Sequence, residues 1–293
     1  MSKSNLHRLI APKSIAVVGN RGANFAISES LKLGFSNQIW AVHPYLESLE
    51  GIKCFKDIKD LPEAPDATFI AVNAESAIEI VSDLREMGGG GAVLYASGFG
   101  EVGEQGFIRN QKLLEAADGM PLIGPNCYGF INSLDGVALW PDVHGCKSVS
   151  EGVAVITQSG NIGLNMTMQS VGLQIAYMFT LGNQTNTDIA DIIHAMLDDS
   201  RVKAIGLHIE GISDIESFDV AARRALKMKV PIITIKSGKT KVSAKIALSH
   251  TSSLTGSDEL YNAFFERLGI ARVETVPEFL ETLDRKSTRL NSS

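Results

Sequence analysis

The sequence has few cysteines, and their spacing fits neither a metal site nor a disulfide framework. The three cysteines of the 293-residue chain, Cys54, Cys127 and Cys146, are odd in number and include no Cys-x-x-Cys pair. Apolar residues make up 44% of the chain, but they fall in short separated runs that are too short to span a bilayer. The opening stretch, MSKSNLHRLIAPKS, lacks the apolar core of a secretory signal. We therefore expect a cytoplasmic protein with no metal site and no membrane contact.

The chain also lacks an excess of basic residues. Its 27 Lys and Arg residues and 33 Asp and Glu residues give a formal net charge of −6, with the two signs interleaved. Nucleic-acid surfaces are usually marked by a basic patch, so this balance argues against a nucleic-acid partner. The length suits about two domains of ordinary size.

Short β-rich runs alternate with amphipathic helical stretches through two similar halves. The runs are SIAVVG, QIWAVHP, ATFIAV, GAVLYAS and PLIGP, then VAVITQS, QIAYMFTLG, AIGLHIE and PIITIKSG. Such apolar runs are typical of strands buried on both faces, and their alternation with helices predicts parallel sheets with right-handed crossovers. We expect two α/β domains, over residues 1–145 and 146–283. The stretch NSLDGVALWPDVHGCKSVSEG has no clear period and is expected to connect them.

The last ten residues, DRKSTRLNSS (284–293), do not continue the pattern before them. VPEFLETL has the spacing of an amphipathic helix, and the apolar period then stops. Because the string resembles translated sequencing-adapter DNA, we expect residues 284–293 to be a tail that is not native to the protein. An ordinary polar tail is the alternative. On the first interpretation the natural protein continues past Leu283.

A glycine turn joins the first strand to the next helix in SIAVVGNRGANFA. Gly19 and Gly22 allow the backbone to pass close to a phosphate, and the helix start offers free N–H groups. The GxGxxG spacing is not met, because Ala26 stands at the third position, and the second strand ends in His43 and Pro44 where NAD-binding proteins usually carry an acid. These departures argue against a dehydrogenase. A tight turn that only needs glycine is the structural alternative.

Polar residues and glycine also follow the other strands of the first half. They are Asn73 after ATFIAV, Ser97 and Gly98 after GAVLYAS, and Asn126 after PLIGP. Because ligands of open α/β sheets bind beyond the carboxyl ends of the strands, these residues point at one crevice, which suits a bulky phosphorylated ligand. Arg21 can pair with a phosphate or be a solvated surface residue. Cys127 is either a reactive thiol or, as buried cysteines usually are, inert packing.

In the second half, VAVITQSGNIG indicates a strand, a turn and a helix. Ser159 is a suitable N-cap, Gly160 leaves room for an anion, and the helix start favours a negative charge. Plain capping with nothing bound is the alternative. Glu210 stands at the tip of the next-but-one strand, AIGLHIE, where a carboxylate is less often structural than on a helix face.

Two common catalytic motifs are incomplete. Gly238, Lys239 and Thr240 imitate part of a P-loop, but Ile233 occupies the position of its first glycine, so a P-loop is rejected. Thr157 occupies the position of a required glycine in the nucleophile elbow, so a serine hydrolase is rejected as well. Lys236, Lys239, Lys241 and Lys245 remain as a group of cations at this strand end.

His250 lies among small hydroxyl residues in SHTSSLTGSD, just ahead of a predicted helix. Alone, it is more often a hydrogen-bonded loop residue than a catalyst. Glu210 and the helix start at Ser159 are expected at the same sheet edge, where a carboxylate can fix the imidazole tautomer and the amides can hold an anion. A neutral imidazole is nucleophilic, so this set suits a histidine that accepts and passes on a phosphoryl group.

Six ordered motifs resemble the α part of the nucleoside-diphosphate-forming acyl-CoA synthetases, the superfamily of ADP-forming acetate–CoA ligase and succinyl-CoA synthetase. They are IAVVG, GPNCYGFIN, ITQSGNIG, LGNQTNTDIADII, HIEGI and SHTSSLTGSD, over about residues 8–283. The resemblance implies a Rossmann-like CoA-binding domain followed by a flavodoxin-like parallel-sheet ligase domain. It implies an acid–thiol ligase that joins a carboxylic acid to CoA at the expense of a nucleoside triphosphate, through an acyl phosphate and a phosphohistidine.

The resemblance also implies roles for single residues. His250 matches the phosphohistidine and Glu210 the acid that orients it. The expected phosphate-binding residues are Ser159, Gly160 and Asn161. The expected CoA-binding residues are Gly19, Asn20, Arg21, Gly22, His43, Val72, Asn73, Ser97, Gly98 and Asn126.

Two features depart from the family pattern. The turn GNRGANFAIS is shorter and less glycine-rich than the usual CoA-binding version, which puts the individual CoA contacts in doubt. The chain also holds no ATP-grasp domain, which we expect as a fused or separate partner carrying ATP and Mg²⁺, and we expect an oligomer. A CoA- or acyl-CoA-sensing module without catalysis is the alternative function, and an NAD-dependent dehydrogenase domain ranks below it; His250 favours the enzyme.

Overall fold

Each half of the chain folds into a seven-stranded sheet flanked by helices. The computed structural model describes residues 3–169, 172–238 and 258–289. The helices in these ranges are α1 (Lys3–Ile10), α2 (Arg21–Leu33), α3 (Ala74–Met87), α4 (Glu104–Ala117), α5 (Gly160–Thr167), α6 (Ile189–Asp198), α7 (Ile215–Met228), α8 (Asp258–Arg267) and α9 (Val276–Arg289). None of these helices has the length and apolar character needed to cross a membrane.

The strands follow the apolar runs of the sequence. They are β1 (Ser14–Gly19), β2 (Gln38–Val42), β3 (Ser48–Leu49), β4 (Ile52–Phe55), β5 (Ala67–Ala71), β6 (Ala92–Leu94), β7 (Leu122–Ile123), β8 (Gly129–Asn132), β9 (Val137–Leu139), β10 (Gly152–Thr157), β11 (Ile175–Thr180), β12 (Val202–Ile209), β13 (Ile232–Lys236) and β14 (Ala271–Val273). The central strands β1 and β10 are buried along their whole length, as the runs predict.

The first sheet has the order β3-β4-β2-β1-β5-β6-β7 and is parallel except for the β3–β4 edge pair. Helix α2, which follows β1, packs on the face that carries Val17 and Phe69. Helix α3, which follows β5, packs on the opposite face with Ala16 and Ile70. The chain therefore leaves β1 and β5 in opposite directions, and a crevice opens between their carboxyl ends.

The second sheet has the order β14-β13-β12-β10-β11-β8-β9. The five strands from β10 to β14 are parallel to their neighbours in the order second-first-third-fourth-fifth, which is the flavodoxin order. Helices α5 and α9 contribute Met166 and Phe279 to one face, while α6, α7 and α8 cover the other. The second crevice thus lies between the ends of β10 and β12. The predicted α/β class with two domains of these types is confirmed.

The sequence analysis missed strands β8 and β9, which lie in and beside the stretch that we expected to be an irregular connection. They form an antiparallel hairpin whose strand β8 pairs with β11, so the second sheet is mixed rather than wholly parallel. All seven hairpin-strand residues are buried, which removes the alternating pattern by which hairpins are usually recognised. The hairpin precedes residue 146 although it joins the second sheet; the domain boundaries themselves stay a prediction.

The two sheets are held together by α2 and the edge strand β9. The buried Ser30 hydroxyl donates to the Ala138 carbonyl at 3.1 Å and accepts from the Ala138 N–H at 2.9 Å. A free strand edge exposes such backbone groups, and here α2 covers them. One apolar cluster runs through both sheets as a result.

Helix α9 continues through residues 284–289 of the tail that we expect to be non-native. Among the residues whose burial the structure describes, its buried apolar side chains are Phe279, Leu280 and Leu283, all before residue 284. A polar extension can continue a helix whatever its origin. The origin of residues 284–293 therefore stays a prediction.

A substitution at Gly19 can show how closely the end of β1 approaches β5. The φ of Gly19 is +125°, and a Cβ at this position would lie 2.5 Å from the Ala71 carbonyl oxygen. Gly34 has a φ of +102° but open space around the same position, so Gly34→Ala reports backbone strain alone. We expect Gly34→Ala to lower the free energy of unfolding by about 1 kcal/mol and Gly19→Ala by about 3 kcal/mol or more, measured by urea denaturation. Equal losses of unfolding free energy in the two variants would show that β5 can move away from a side chain at position 19 at little cost.

Candidate functional site

A cleft of about 920 Å³ opens where the carboxyl ends of the two sheets face each other. Its walls come from the ends of β5, β6 and β7 in the first sheet and of β10, β11, β12 and β13 in the second. The ends of β10 and β12, where the second sheet changes direction, and the end of β5 in the first sheet therefore border one space. Open α/β sheets bind their ligands at such points.

Eight of the residues predicted for the site line this cleft together. They are Val72, Asn73, Ser97 and Asn126 from the first domain, and Ser159, Gly160, Asn161 and Glu210 from the second. Residues that follow parallel strands were predicted to share one edge of the sheet. In the structure, residues as far apart in the chain as Val72 and Glu210, 138 positions, do line the same cleft.

The other CoA-binding predictions lie at the carboxyl edge of the first sheet but outside the lining of the cleft. Gly19 and Gly22 pack against Ala71, so their lack of a side chain already has a structural explanation. Asn20 and Arg21 are exposed at the start of α2, where Asn20 makes no side-chain capping hydrogen bond. His43 caps its own loop, because its Nδ1 accepts from the N–H groups of residues 45 and 46 at 3.2 and 3.0 Å.

His250 lies outside the described residues, in the segment 239–257, as do Lys239, Lys241 and Lys245. The structure describes the chain up to Gly238, which lines the cleft with Ser237, and again from Asp258.

The start of α5 is capped by a serine and lies on the wall of the cleft. Ser159 is the N-cap, and its hydroxyl lies 3.5 Å from the Ile162 N–H. A Cβ on Gly160 would lie 2.7 Å from the Tyr128 ring, so the aromatic ring packs directly on the helix start. The Tyr128 hydroxyl donates to the Asn161 Oδ1 at 3.3 Å. Ser159, Gly160 and Asn161 thus line the cleft beside the Tyr128 ring, and the first N–H groups of a helix are those without a partner inside it.

Gln158 fixes the position of Glu210. Its buried side-chain oxygen accepts from the N–H groups of Glu210 and Gly211, the latter at 3.1 Å, and its Nε2 donates to the Gly211 carbonyl at 2.7 Å. The amide thus binds the backbone that follows β12 from both sides. Sequence analysis did not single out Gln158, because a glutamine beside a capping serine carries no motif of its own.

A second helix start lies on the opposite wall. Asn73 caps α3, with its Oδ1 accepting from the Ser76 N–H at 3.0 Å. Next to it, Gly98 has a φ of +103°, donates through its N–H to Glu101 and accepts from Arg109 at 3.1 Å. Gly98 therefore shapes the loop after β6, and its neighbour Ser97 forms the wall.

The motif LGNQTNTDIADII reaches from the second domain into the first. Asn183 lines the cleft and donates to Glu101, and Asn186 makes two hydrogen bonds of 2.9 Å with the backbone of Leu122 and Met120. Thr185 donates to Asn110 at 2.7 Å. We missed these roles, although Asn183 follows β11 and the strand-end rule applies to it as well.

Cys127 borders the cleft but is suited to packing. Its thiol is 3% exposed and lies near the carbonyl oxygens of Leu94 and Ile123. Burial raises the pKa of Cys127 to about 12, so the thiol stays protonated near neutral pH. The interpretation as inert packing is the one that this geometry supports.

Directly below the cleft lies a buried histidine that the sequence analysis did not consider. The His208 ring is 2% exposed, and burial, with a smaller contribution from Lys236, lowers the pKa of His208 to about 4. The imidazole is therefore neutral in the folded protein near pH 7.

This lowered pKa predicts acid sensitivity. In the unfolded chain His208 regains its ordinary pKa of 6.5, so between pH 6.5 and 4 the unfolded state binds the proton that the folded state excludes. The stabilisation is complete above pH 6.5 and is lost as the pH falls to 4. From pH 7 to 4 we expect the free energy of unfolding of wild type to fall by about 3 kcal/mol more than that of His208→Gln.

The measurement is urea denaturation at each pH, with His7→Gln, which removes an exposed histidine, as the control. Parallel curves for the wild type and His208→Gln would contradict the prediction.

Two family models match the chain in order. A CoA binding domain matches residues 13–133, and a succinyl-CoA ligase like flavodoxin domain matches residues 150–284. Together they cover both sheets and both walls of the cleft.

Relatives of known function match over nearly the whole chain. The α subunit of ADP-forming acetate–CoA ligase II from Pyrococcus furiosus is 32% identical over 92% of this chain and 60% of its own length. The ADP-forming acetate–CoA ligase of Methanocaldococcus jannaschii is 32% identical over 95% of this chain and 40% of its own length.

A solved structure shows the same arrangement of domains. Dinucleotide forming acetyl-coenzyme A synthetase 1 of Ca. Korarchaeum cryptofilum, in complex with phosphate and ADP, superposes with a TM-score of 0.84 at 29% identity, over 94% of this chain and 61% of that one. The present chain thus spans 40–61% of the length of these relatives. From its two domains, their order and these relatives, the chain belongs to the superfamily of NDP-forming acyl-CoA synthetases.

Proposed function

We propose that this chain is the CoA-binding and phosphohistidine-bearing part of an acid–thiol ligase that forms acyl-CoA from a carboxylic acid, CoA and a nucleoside triphosphate. The observation that carries the proposal is the single cleft bordered by both sheets, with the start of α5 and Glu210 on one wall and the start of α3 on the other. A transfer of a group between a phosphorylated intermediate and CoA needs both ligands in one space.

In the proposed cycle His250 is phosphorylated by the nucleoside triphosphate, with release of the nucleoside diphosphate. The carboxylate oxygen of the acid attacks the phosphorus, the P–N bond breaks, and an acyl phosphate and the neutral imidazole result. The CoA thiolate then attacks the acyl carbon, and inorganic phosphate leaves. Because these transfers need mainly positioning and charge stabilisation, the amides at Ser159, Gly160 and Asn161 are suited to hold the phosphoryl group.

Glu210 is the proposed partner of the imidazole. It stands at the carboxyl end of β12 in the cleft, and Gln158 holds its backbone in place. A carboxylate next to an imidazole selects one tautomer and stabilises the positive charge that appears when the other nitrogen is phosphorylated. Ser97 and the start of α3, capped by Asn73, are the proposed CoA-facing groups, since free N–H groups at a helix start suit the pyrophosphate of CoA.

The ATP-grasp part is the proposed partner, as a fused domain or a separate subunit, and would supply ATP and Mg²⁺. The Pyrococcus furiosus relative named above is an α subunit, which supports a separate subunit. The expected cytoplasmic location and oligomeric state stay predictions.

The first test asks whether His250 carries phosphate. The chain is incubated with acetyl-CoA and radioactive inorganic phosphate, which run the proposed cycle in reverse. We expect a protein-bound phosphate that is labile to acid and stable to base, as a P–N bond to histidine is, in the wild type and in the exposed-site control His7→Ala, and its complete loss in His250→Ala. Label that persists in His250→Ala would refute the assignment. CoA binding without any label would favour a CoA-sensing module.

The second test concerns Glu210. Glu210→Gln keeps the size of the side chain and the backbone N–H that Gln158 binds, but removes the charge. We expect the initial labelling rate to fall about 100-fold while the CoA affinity stays within about twofold, because the proposed role of Glu210 is toward the imidazole and not toward CoA. The matched control is Glu216→Gln, an exposed glutamate in the first turn of α7. A large loss of CoA binding by calorimetry would contradict this role.

A further inference from the structure

A line of three polar groups lies beneath the cleft on one face of the second sheet. Thr157 ends β10, His208 lies beside it in β12, and Ser237 follows β13. The His208 Nδ1 is 3.0 Å from the Thr157 Oγ1, and its Nε2 is 2.7 Å from the Ser237 Oγ. Both ring nitrogens therefore have a hydroxyl partner, and the imidazole spans the distance between the two hydroxyls.

Both residues that carry these hydroxyls are bonded to a wall of the cleft. The Thr157 Oγ1 accepts from the N–H of Ser159, the residue that caps α5, at 3.0 Å and lies 3.3 Å from the Ser159 carbonyl oxygen. Ser237 lines the cleft itself, and its N–H donates to the Ile209 carbonyl at 2.9 Å, next to Glu210. The ring thus connects the turn before α5 with the end of β13.

A neutral imidazole fits this place in either tautomer. One ring nitrogen donates and the other accepts, and each hydroxyl can do either. A protonated ring would place a second positive charge in a dry core that already contains the buried Lys236. Positions inside a parallel sheet ordinarily carry apolar residues. A row of polar groups at this place is therefore best explained by the backbone that its hydrogen bonds hold in position.

We propose that His208 is a positioning residue for anion binding: its imidazole holds the turn from Thr157 to Ser159 so that the N–H groups at the start of α5 point at a phosphate. The inference rests on the proposed function, in which this helix start holds the phosphoryl group. Without the bond to Thr157 the turn gains freedom, and the amides must be ordered each time a phosphate binds.

Two substitutions separate the two ends of the ring. The short amide of His208→Asn reaches the place of Nδ1 and can keep the bond to Thr157. The longer His208→Gln reaches the place of Nε2 and can keep only the bond to Ser237. Thr157→Val removes the hydroxyl that holds Ser159. Thr234→Val is its matched control, because Thr234 is a buried strand threonine whose hydroxyl donates to the Leu207 carbonyl at 3.2 Å.

The probe is inorganic phosphate, titrated into the 293-residue chain and followed by the NMR shifts of the Ser159 and Gly160 amides. We expect the dissociation constant for phosphate to rise about tenfold in His208→Gln and Thr157→Val, and to stay within about twofold in His208→Asn and Thr234→Val. Hydrogen exchange of the Ser159 amide should be faster in the first two variants only.

Phosphate affinity and exchange rates that match the wild type in His208→Gln and Thr157→Val would overturn the inference. So would an equal loss in Thr234→Val, because general core stability would then set the affinity. A wild type that binds phosphate, responds to these variants and yet forms no phosphohistidine would keep the inference and remove the proposed chemistry. A wild type that binds no phosphate would remove both.

Discussion

The contact between α2 and the edge strand β9 is the constraint on which the cleft depends. The Ser30 hydroxyl satisfies both backbone groups of Ala138 in a buried setting, where an unpaired N–H or carbonyl would cost about 1–3 kcal/mol each. This pair fixes the second sheet relative to the helix that follows β1. The segment after β11 adds a second attachment through Asn183, Thr185 and Asn186. With two attachments the carboxyl edges of the sheets face one another across a defined space.

Much of the fold follows from the sequence because buried parallel strands are local features. The runs at β1, β5, β10 and β12 are mostly apolar, and each is followed by glycine or by residues that cap a helix. The shared position of Asn73, Ser159 and Glu210 then follows from the geometry of a parallel sheet rather than from any single motif. Several of the motifs by which the sequence resembles its family, such as ITQSGNIG and HIEGI, lie at these strand ends.

The features that we missed depend on pairing between distant segments. Strands β8 and β9 are recognisable only when β11 is placed beside them, and Gly160 has its tight contact only because Tyr128 reaches across from the loop before β8. His208 looks like one polar residue in an apolar run, and its two partners lie 51 and 29 positions away in the chain. Contacts of this range are set by register and packing, which local patterns do not contain.

On the described walls of the cleft, the proposed transfer of a phosphoryl group would rely on groups that carry no full positive charge. Among the described residues that line it, Glu210 is the one charged side chain; the others offer amides, hydroxyls and aromatic rings. Helix N–H groups carry only partial charge, so their effect depends strongly on direction. In the proposed site the amides must keep their direction. Buried bonds support the backbone on both sides, from Gln158 to the N–H groups of Glu210 and Gly211 and from the N–H of Ser159 to Thr157, to which His208 is bonded in turn.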